Sequence, residues 1–164
     1  MKLYIKQKPL SWRDKFTAKD ENGNDRYTMQ GGKASALTAI GKKLQVFDSN
    51  GNAVALIKDS TKPFSLKTRF TIEIGGRKVC EVVKRFSLIG HSYNIEGLPW
   101  KLDGDFTGHD YRLTNGDKTV MTINKKVFTI GDSYELDIAD PKHELVCLCI
   151  VFAVDCSLVI KSRA

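Results

Sequence analysis

Cysteine is scarce in this chain and poorly spaced for its usual uses. Only four of the 164 residues are cysteine, Cys80, Cys147, Cys149 and Cys156, and no two form a C-x-x-C pair. That argues against the disulfide framework of a small secreted protein and against a thiolate zinc knuckle, and a reducing cytoplasm suits such thiols best. The first residues do not read as a secretory leader either. Met1-Lys2-Leu3-Tyr4-Ile5-Lys6-Gln7-Lys8 alternates charged and apolar residues and holds no apolar core of the length a signal peptide needs. The expectation is a cytoplasmic protein, at most peripheral to a membrane. No apolar run is long enough to cross a bilayer, which takes about 20 residues.

Recognisable catalytic, metal and cofactor motifs are lacking too. His91, His109 and His143 are scattered, with no H-E-x-x-H and no facing carboxylate pair, and read as surface or turn residues. Gly31-Gly32-Lys33-Ala34-Ser35 resembles a phosphate loop only in part. Tyr27 stands where the first glycine belongs and Ala34 where a hydroxyl should hold magnesium. Asp20, Asn22 and Asn24 have the 1-3-5 spacing of a calcium loop, but Asp25 replaces the turn glycine and Gly31 the closing glutamate. A second copy, starting at Asp48, fails in the same way with Ala53 and Asp59. Hairpin turns explain both copies.

What the sequence does have is one long greasy segment. Leu145 to Val154 is an unbroken apolar run of ten residues, and neither Gly nor Pro occurs between Lys142 and Lys161. A strand usually stops after roughly 5–6 residues where a helix continues past 10, so the segment predicts a helix over about 141–160. Asp140 is placed to cap it, Pro141 fits the first helical position, and Glu144 lies near the positive end of the dipole. The run covers nearly three turns, so the helix is apolar on every face and needs apolar surroundings on all sides. At about 1.5 Å per residue the run is half a hydrocarbon core long, and Asp155 interrupts its continuation. A protein interior is the better surrounding. Asp155 finds no cation three or four residues away on its own helix, so its partner must come from a strand or from water.

Almost everything before this segment reads as β-hairpins. Asp20-Glu21-Asn22-Gly23-Asn24 and Asp48-Ser49-Asn50-Gly51-Asn52 are two copies of one turn, 28 residues apart, each between strand-like runs. Gly75-Gly76, Gly97-Leu98-Pro99 and Asn115-Gly116-Asp117 punctuate the second half. About twelve strands result, beginning with Leu3-Tyr4-Ile5, which Pro9 follows, and ending with Ser133 to Ile138. Residues 33–41 leave loop and helical turn both open. Strands with one dry and one wet face suit a closed antiparallel sheet, and twelve of them leave room for a helix inside.

The turn-bearing residues carry a family resemblance. Phe16…Asp20-x-x-Gly23, Leu44-x-Val46-x-Asp48-x-x-Gly51, Trp100-x-Leu102-x-Gly104-Asp105 and the terminal helix after Leu136-x-Ile138-x-Asp140 resemble the LURP-one-related proteins in their small bacterial form. The similarity runs over essentially the whole chain, 1–164. It implies the fold shared by the tubby C-terminal domain and the phospholipid scramblases, mainly β with one central α-helix: a tubby-like closed antiparallel barrel of about twelve strands around a buried C-terminal hydrophobic helix. Tubby domains bind phosphoinositide head groups through basic side chains, and scramblases move lipid in a calcium-linked way. No motif here matches either site residue by residue, so neither activity transfers. The resemblance brings no catalytic motif. Cys147, Cys149 and Cys156 fall in the expected core, which argues against lipidation there.

Charge supplies the functional hint. The net charge of +7 is concentrated before residue 70, which suggests an anionic partner: phospholipid head groups, nucleic acid or an acidic protein. The anion-binding candidates are Lys58, Lys62, Lys67 and Arg69, with Lys84 and Arg85 at the end of a later strand. Lys67 and Arg69, if both lie on a strand, point to one side. Trp12, Phe16 and Tyr27 among Arg13, Lys15 and Arg26 offer an alternative, a stacking platform for single-stranded nucleic acid, although core aromatics fit them better. The leading expectation is a non-enzymatic binding or scaffold domain for an anionic ligand such as a phospholipid head group. Its rivals are a nucleic-acid-binding protein and an enzyme with a site on the barrel rim.

Overall fold

A tight turn between two strands needs residues that tolerate positive φ, and the two Asp-x-Asn-Gly-Asn copies supply them in the same way. In a computed structural model, which describes residues 1–6, 15–31, 43–85, 90–126 and 133–160, Asp20 Oδ1 accepts the backbone N–H groups of Asn22 and Asn24, each at 2.9 Å. Asp48 Oδ1 repeats this with Asn50 and Asn52, again at 2.9 Å. Gly23 and Gly51 sit at φ 81° and 82°, which an L side chain rarely adopts. Hydrogen bonds from Asn24 and from Asn52 hold the two carboxyls below their ordinary range. The Asp20 and Asp48 carboxylates of the calcium-like spacing are thus engaged by their own turns.

The described strands are β1 (Lys2–Lys6), β2 (Lys15–Lys19), β3 (Asp25–Gly31), β4 (Lys43–Asp48), β5 (Ala53–Asp59), β6 (Thr68–Ile74), β7 (Arg77–Arg85), β8 (Ser92–Glu96), β9 (Trp100–Asp105), β10 (Asp110–Asn115), β11 (Lys118–Lys126) and β12 (Ser133–Ile138). Each pairs antiparallel with its sequence neighbours, and β12 returns to β1 to close the barrel. Five register pairs make that seam, from Lys2 opposite Asp137 to Lys6 opposite Ser133. The Met1 amino group extends the seam by donating to the Ile138 carbonyl at 2.9 Å. Closure leaves no edge strand to pair with another chain. Pro9, Trp12, Arg13 and the open segment 33–41 lie outside the described residues.

The terminal segment is helical and enclosed, as its sequence predicts. Asp140 caps a single 3-10 turn, Pro141–His143, by accepting from the Lys142 N–H at 3.1 Å, and α1 then runs Glu144–Ile160. The expected start at 141 is therefore a tighter turn that passes into α-helix. Twelve successive residues, Val146 to Ser157, are each at most 7% exposed. Every large side chain among them is removed from water, about 1.5–3 kcal/mol apiece for Val, Leu, Ile or Phe. Phe152 meets the inward ring of Phe16 at 6.1 Å. Among the described residues no helix is long and apolar enough to cross a membrane.

The barrel has two unlike ends. Short turns at 20–24, 49–52, 75–76, 97–99 and 116–117 gather at the end where α1 begins. The 60–67 connection, the 106–109 turn and the last residues of α1 lie at the other.

Trp100-x-Leu102-x-Gly104-Asp105 acquires a physical meaning in β9. Trp100 and Leu102 point inward, and the Trp100 ring meets His143 edge-on at 4.9 Å. Gly104 has φ 130°, and a Cβ there would lie 2.6 Å from the Asp110 carbonyl and from Tyr111 Cα. Only glycine fits that approach. Asp105 Oδ1 then accepts from the Thr107 N–H at 3.1 Å and the Gly108 N–H at 3.0 Å, turning the chain into β10.

Candidate anion-binding face

Strand parity decides which basic residues can reach a ligand. Ala55 and Ile57 face the core, so Lys58 faces out; its Nζ donates to Glu73 Oε1 on β6 at 2.6 Å. Phe70 and Ile72 face in, so Arg69 faces out, where it pairs with both Glu81 and Glu96. These two carboxylates stand directly opposite each other across β7 and β8, and Arg69 offsets a repulsive cross-strand pair. Burial pushes Glu81 up, but the hydrogen bonds from Lys78, Arg69 and Thr71 outweigh it and hold the carboxyl below its usual range. Arg85 is exposed and faces the Asn94 amide.

Lys84 is a correction to the surface reading. It shares parity with Cys80 and Val82, so it points into the barrel and is 7% exposed. Its Nζ donates to the Ser157 carbonyl at 3.1 Å and lies 5.9 Å from the centre of the Tyr93 ring. Ser157 belongs to the last four carbonyls of α1, which have no partner within the helix. The last turn of α1 carries no basic residue of its own, and Lys84 supplies the cation that end of the dipole favours. At the other end Arg26 holds Glu144 bidentately, Nε to Oε1 at 2.8 Å and Nη2 to Oε2 at 3.0 Å.

Lys62 and Lys67 remain. Both are exposed in the connection from β5 to β6, and neither has a carboxylate partner among the described residues. Lys67 precedes β6 rather than lying on it, so it and Arg69 do not form the same-side strand pair expected from the sequence. The six candidates therefore form no single patch. Between the two lysines stand Phe64 and Leu66, 105% and 85% exposed, the large apolar side chains left in solvent among the described residues.

A second polar group lies inside the same end of the barrel. Asp155, 2% exposed, accepts the Tyr134 O–H at 2.5 Å and lies 3.2 Å from His109 Nε2. The His109 ring stacks on Tyr134 at 4.6 Å. Its partners thus come from β12 and from the turn after β9, and His109 is a buried residue rather than a surface one. Tyr93 shares a 2.6 Å hydrogen bond with Ser157 Oγ, which donates to the Val154 carbonyl at 2.7 Å. Burial raises the Tyr93 phenol to about 12, and burial with the nearby Asp155 raises Tyr134 well above its ordinary value. The Tyr111 hydroxyl has no hydrogen-bond partner among the described residues. A histidine beside a carboxylate is the pairing of a general base and its orienting group. Here, however, His109, Tyr134 and Asp155 are each at most 8% exposed, and the nearby Ser157 hydroxyl is committed to the helix.

The external groove of about 340 Å³ between β2, β3 and β4 is lined by Lys15, Tyr27, Gln30 and Phe47 with Asp25 and Asp48. Asp25 is paired with Lys19 and Asp48 holds its turn, and the exposed Lys15 brings a single cation to the lining. Phe16 faces Phe152 inside the barrel, so it cannot stack on an external base. No cluster of His, Cys, Asp and Glu suited to a metal ion occurs among the described residues.

Comparison with known proteins agrees with the architecture. The chain is 34% identical over 155 residues to a Bacillus subtilis (strain 168) protein, the uncharacterized protein YxjI, covering 94% of this chain and 92% of that one. It superposes on the X-ray structure of a protein from Arabidopsis thaliana with a TM-score of 0.61 at 14% identity, over 94% of this chain and 90% of that chain. That second likeness is one of fold. The LURP-one-related family pattern matches residues 1–155, from the first strand to the buried aspartate of α1, and the chain belongs to that family.

Proposed function

We propose that this protein is a non-enzymatic binding domain that docks on the anionic phospholipid head groups of a membrane surface with the loop-bearing end of its barrel. A single observation carries the reading: of the six candidate cations, Lys62 and Lys67 alone are both exposed and unengaged by a polar group of the described protein. Exposed cations without protein counter-charges are the ones an anionic surface can attract, each by roughly 1 kcal/mol near the membrane. The overall charge of +7 adds long-range steering toward such a surface.

The non-enzymatic part rests on the commitment of the buried His109–Tyr134–Asp155 group to holding α1. Co-sedimentation with phosphatidylglycerol-containing and pure phosphatidylcholine vesicles, at low and high salt, tests the proposal. Binding to the anionic vesicles that weakens with salt is expected. Equal indifference to both vesicle types at low salt overturns it. Short DNA and RNA oligomers, run as competitors, separate a nucleic-acid partner, whose affinity would fall steeply and linearly on a logarithmic salt scale.

A further inference from the structure

Phe64 is held in a backbone conformation that a phenylalanine does not favour. Its φ is 60°, uncommon for any residue but glycine, asparagine or aspartate and an outlier for a bulky side chain. Lys62-Pro63-Phe64-Ser65 is a turn with the Ser65 N–H donating to the Lys62 carbonyl at 3.1 Å. Proline in second place is ordinary in such turns, but a third place at positive φ normally takes glycine. The Phe64 side chain is fully exposed, so no contact with the protein offsets the strain.

The surrounding residues fix this presentation. Ser65 Oγ donates to the Lys67 carbonyl at 3.0 Å and accepts the Lys67 N–H at 3.1 Å. At the base of the loop the Ser60 N–H donates to the Arg69 carbonyl at 2.9 Å, and the Arg69 N–H donates to Thr61 Oγ1 at 3.0 Å. The result is an anchored tip that carries two apolar side chains outward between two lysines that have no carboxylate partner among the described residues. Strain of this kind collects at sites of function, and apolar residues beside cations are what an anionic bilayer interface takes up.

From this geometry we infer that the β5–β6 loop is a membrane-insertion tip that lowers Phe64 and Leu66 into the interfacial layer of an anionic bilayer while Lys62 and Lys67 meet the head groups. The inference rests on the docking proposed above and adds its apolar half. It requires a component of binding that salt does not remove.

The test uses the full chain with vesicles of equal parts phosphatidylglycerol and phosphatidylcholine. Phe64→Cys is labelled with an environment-sensitive fluorophore; Cys80, Cys147, Cys149 and Cys156 are buried, so the introduced thiol takes the label. A blue shift on adding vesicles is expected. F64S/L66S and F64G are expected to bind about tenfold or more weakly at high salt, with a melting temperature no lower than that of the unmodified protein, because both side chains lie outside the fold. Unchanged emission and unchanged binding of these variants, while the unmodified protein still sediments, overturns insertion and leaves charge-based docking standing. Failure of the unmodified protein to sediment at low salt overturns both. Sedimentation velocity adds a last outcome: a dimer that disappears in F64S/L66S assigns the tip to a second copy and overturns the inference.

Discussion

The Lys84 ammonium lies 3.1 Å from the carbonyl oxygen of Ser157, and so a strand of the barrel caps the helix it surrounds. Lys84→Met keeps most of the volume and removes the donor, leaving a buried carbonyl without this partner. A loss of about 1–3 kcal/mol is expected, read as a lower urea midpoint at unchanged m-value. Vesicle binding by K84M is expected to match that of the unmodified protein, since this cation faces inward.

Two tyrosines near Asp155 make an internal control. Tyr134 donates to Asp155 Oδ2, whereas the Tyr111 hydroxyl has no partner among the described residues. Tyr134→Phe leaves a buried carboxylate oxygen short of a donor and is expected to cost about 1–3 kcal/mol. Tyr111→Phe removes a buried polar atom that makes no such bond, and stability is expected to hold or rise. Denaturant titrations of the two variants side by side give the comparison.

Alkaline instability follows from the same burial. Desolvation raises Cys80 and Cys147 from 9.0 to about 12, and Tyr27 and Tyr93 from 10.0 to about 12. The unfolded chain loses these protons at the ordinary values while the folded chain keeps them. Their contribution is complete below about pH 9 and is lost as pH rises through the folded values near 12. Each such group adds a slope of about 1.4 kcal/mol per pH unit inside its window. Urea midpoints between pH 8 and pH 11 are expected to fall progressively, and less steeply in Tyr93→Phe.

The helix and the hairpins could be read from the chain because their signals are local: an apolar run without Gly or Pro after Asp140-Pro141, and glycines where positive φ is needed. The pairing of Asp155 with His109 could not, because barrel closure brings together residues 46 apart that share no element. Lys84 was readable in principle. Cys80 and Val82 set the inward parity of β7, and the expected patch at Lys84-Arg85 overlooked that alternate residues face opposite sides. Neutralisation of Lys58 and Arg69 depended on cross-strand register, which Glu73, Glu81 and Glu96 reveal only once the strands are aligned. Exposure of Phe64 has no local signal in the sequence, since an aromatic beside a strand is ordinarily core.

Gly104 sets a packing test for β9 and β10. Gly104→Ala places a methyl group 2.6 Å from backbone atoms of Asp110 and Tyr111, at a φ of 130°. Both strands must shift, and the Phe106–Tyr111 ring contact at 5.0 Å shifts with them. A loss of about 3 kcal/mol or more is expected, from backbone strain and overpacking together. Faster amide exchange in 105–111 than elsewhere in the barrel locates the damage.

Arg69 separates structural charge from binding charge. Arg69→Met leaves Glu81 and Glu96 facing each other across β7 and β8, with Lys78 still paired to Glu81 at 2.9 Å. Like charges directly opposite cost up to about 1 kcal/mol, so a small drop in the urea midpoint at neutral pH is expected. Glu81 titrates below its ordinary 4.5 in the folded protein, so the stability it draws from Arg69 is present above that value and fades as pH falls through the lowered one. The gap between R69M and the unmodified protein is therefore expected to close in acid, because a protonated carboxyl no longer needs the guanidinium. Sedimentation of R69M with anionic vesicles is expected to stay unchanged at either salt concentration. A marked fall would transfer the docking face from Lys62 and Lys67 to the outer wall of β6.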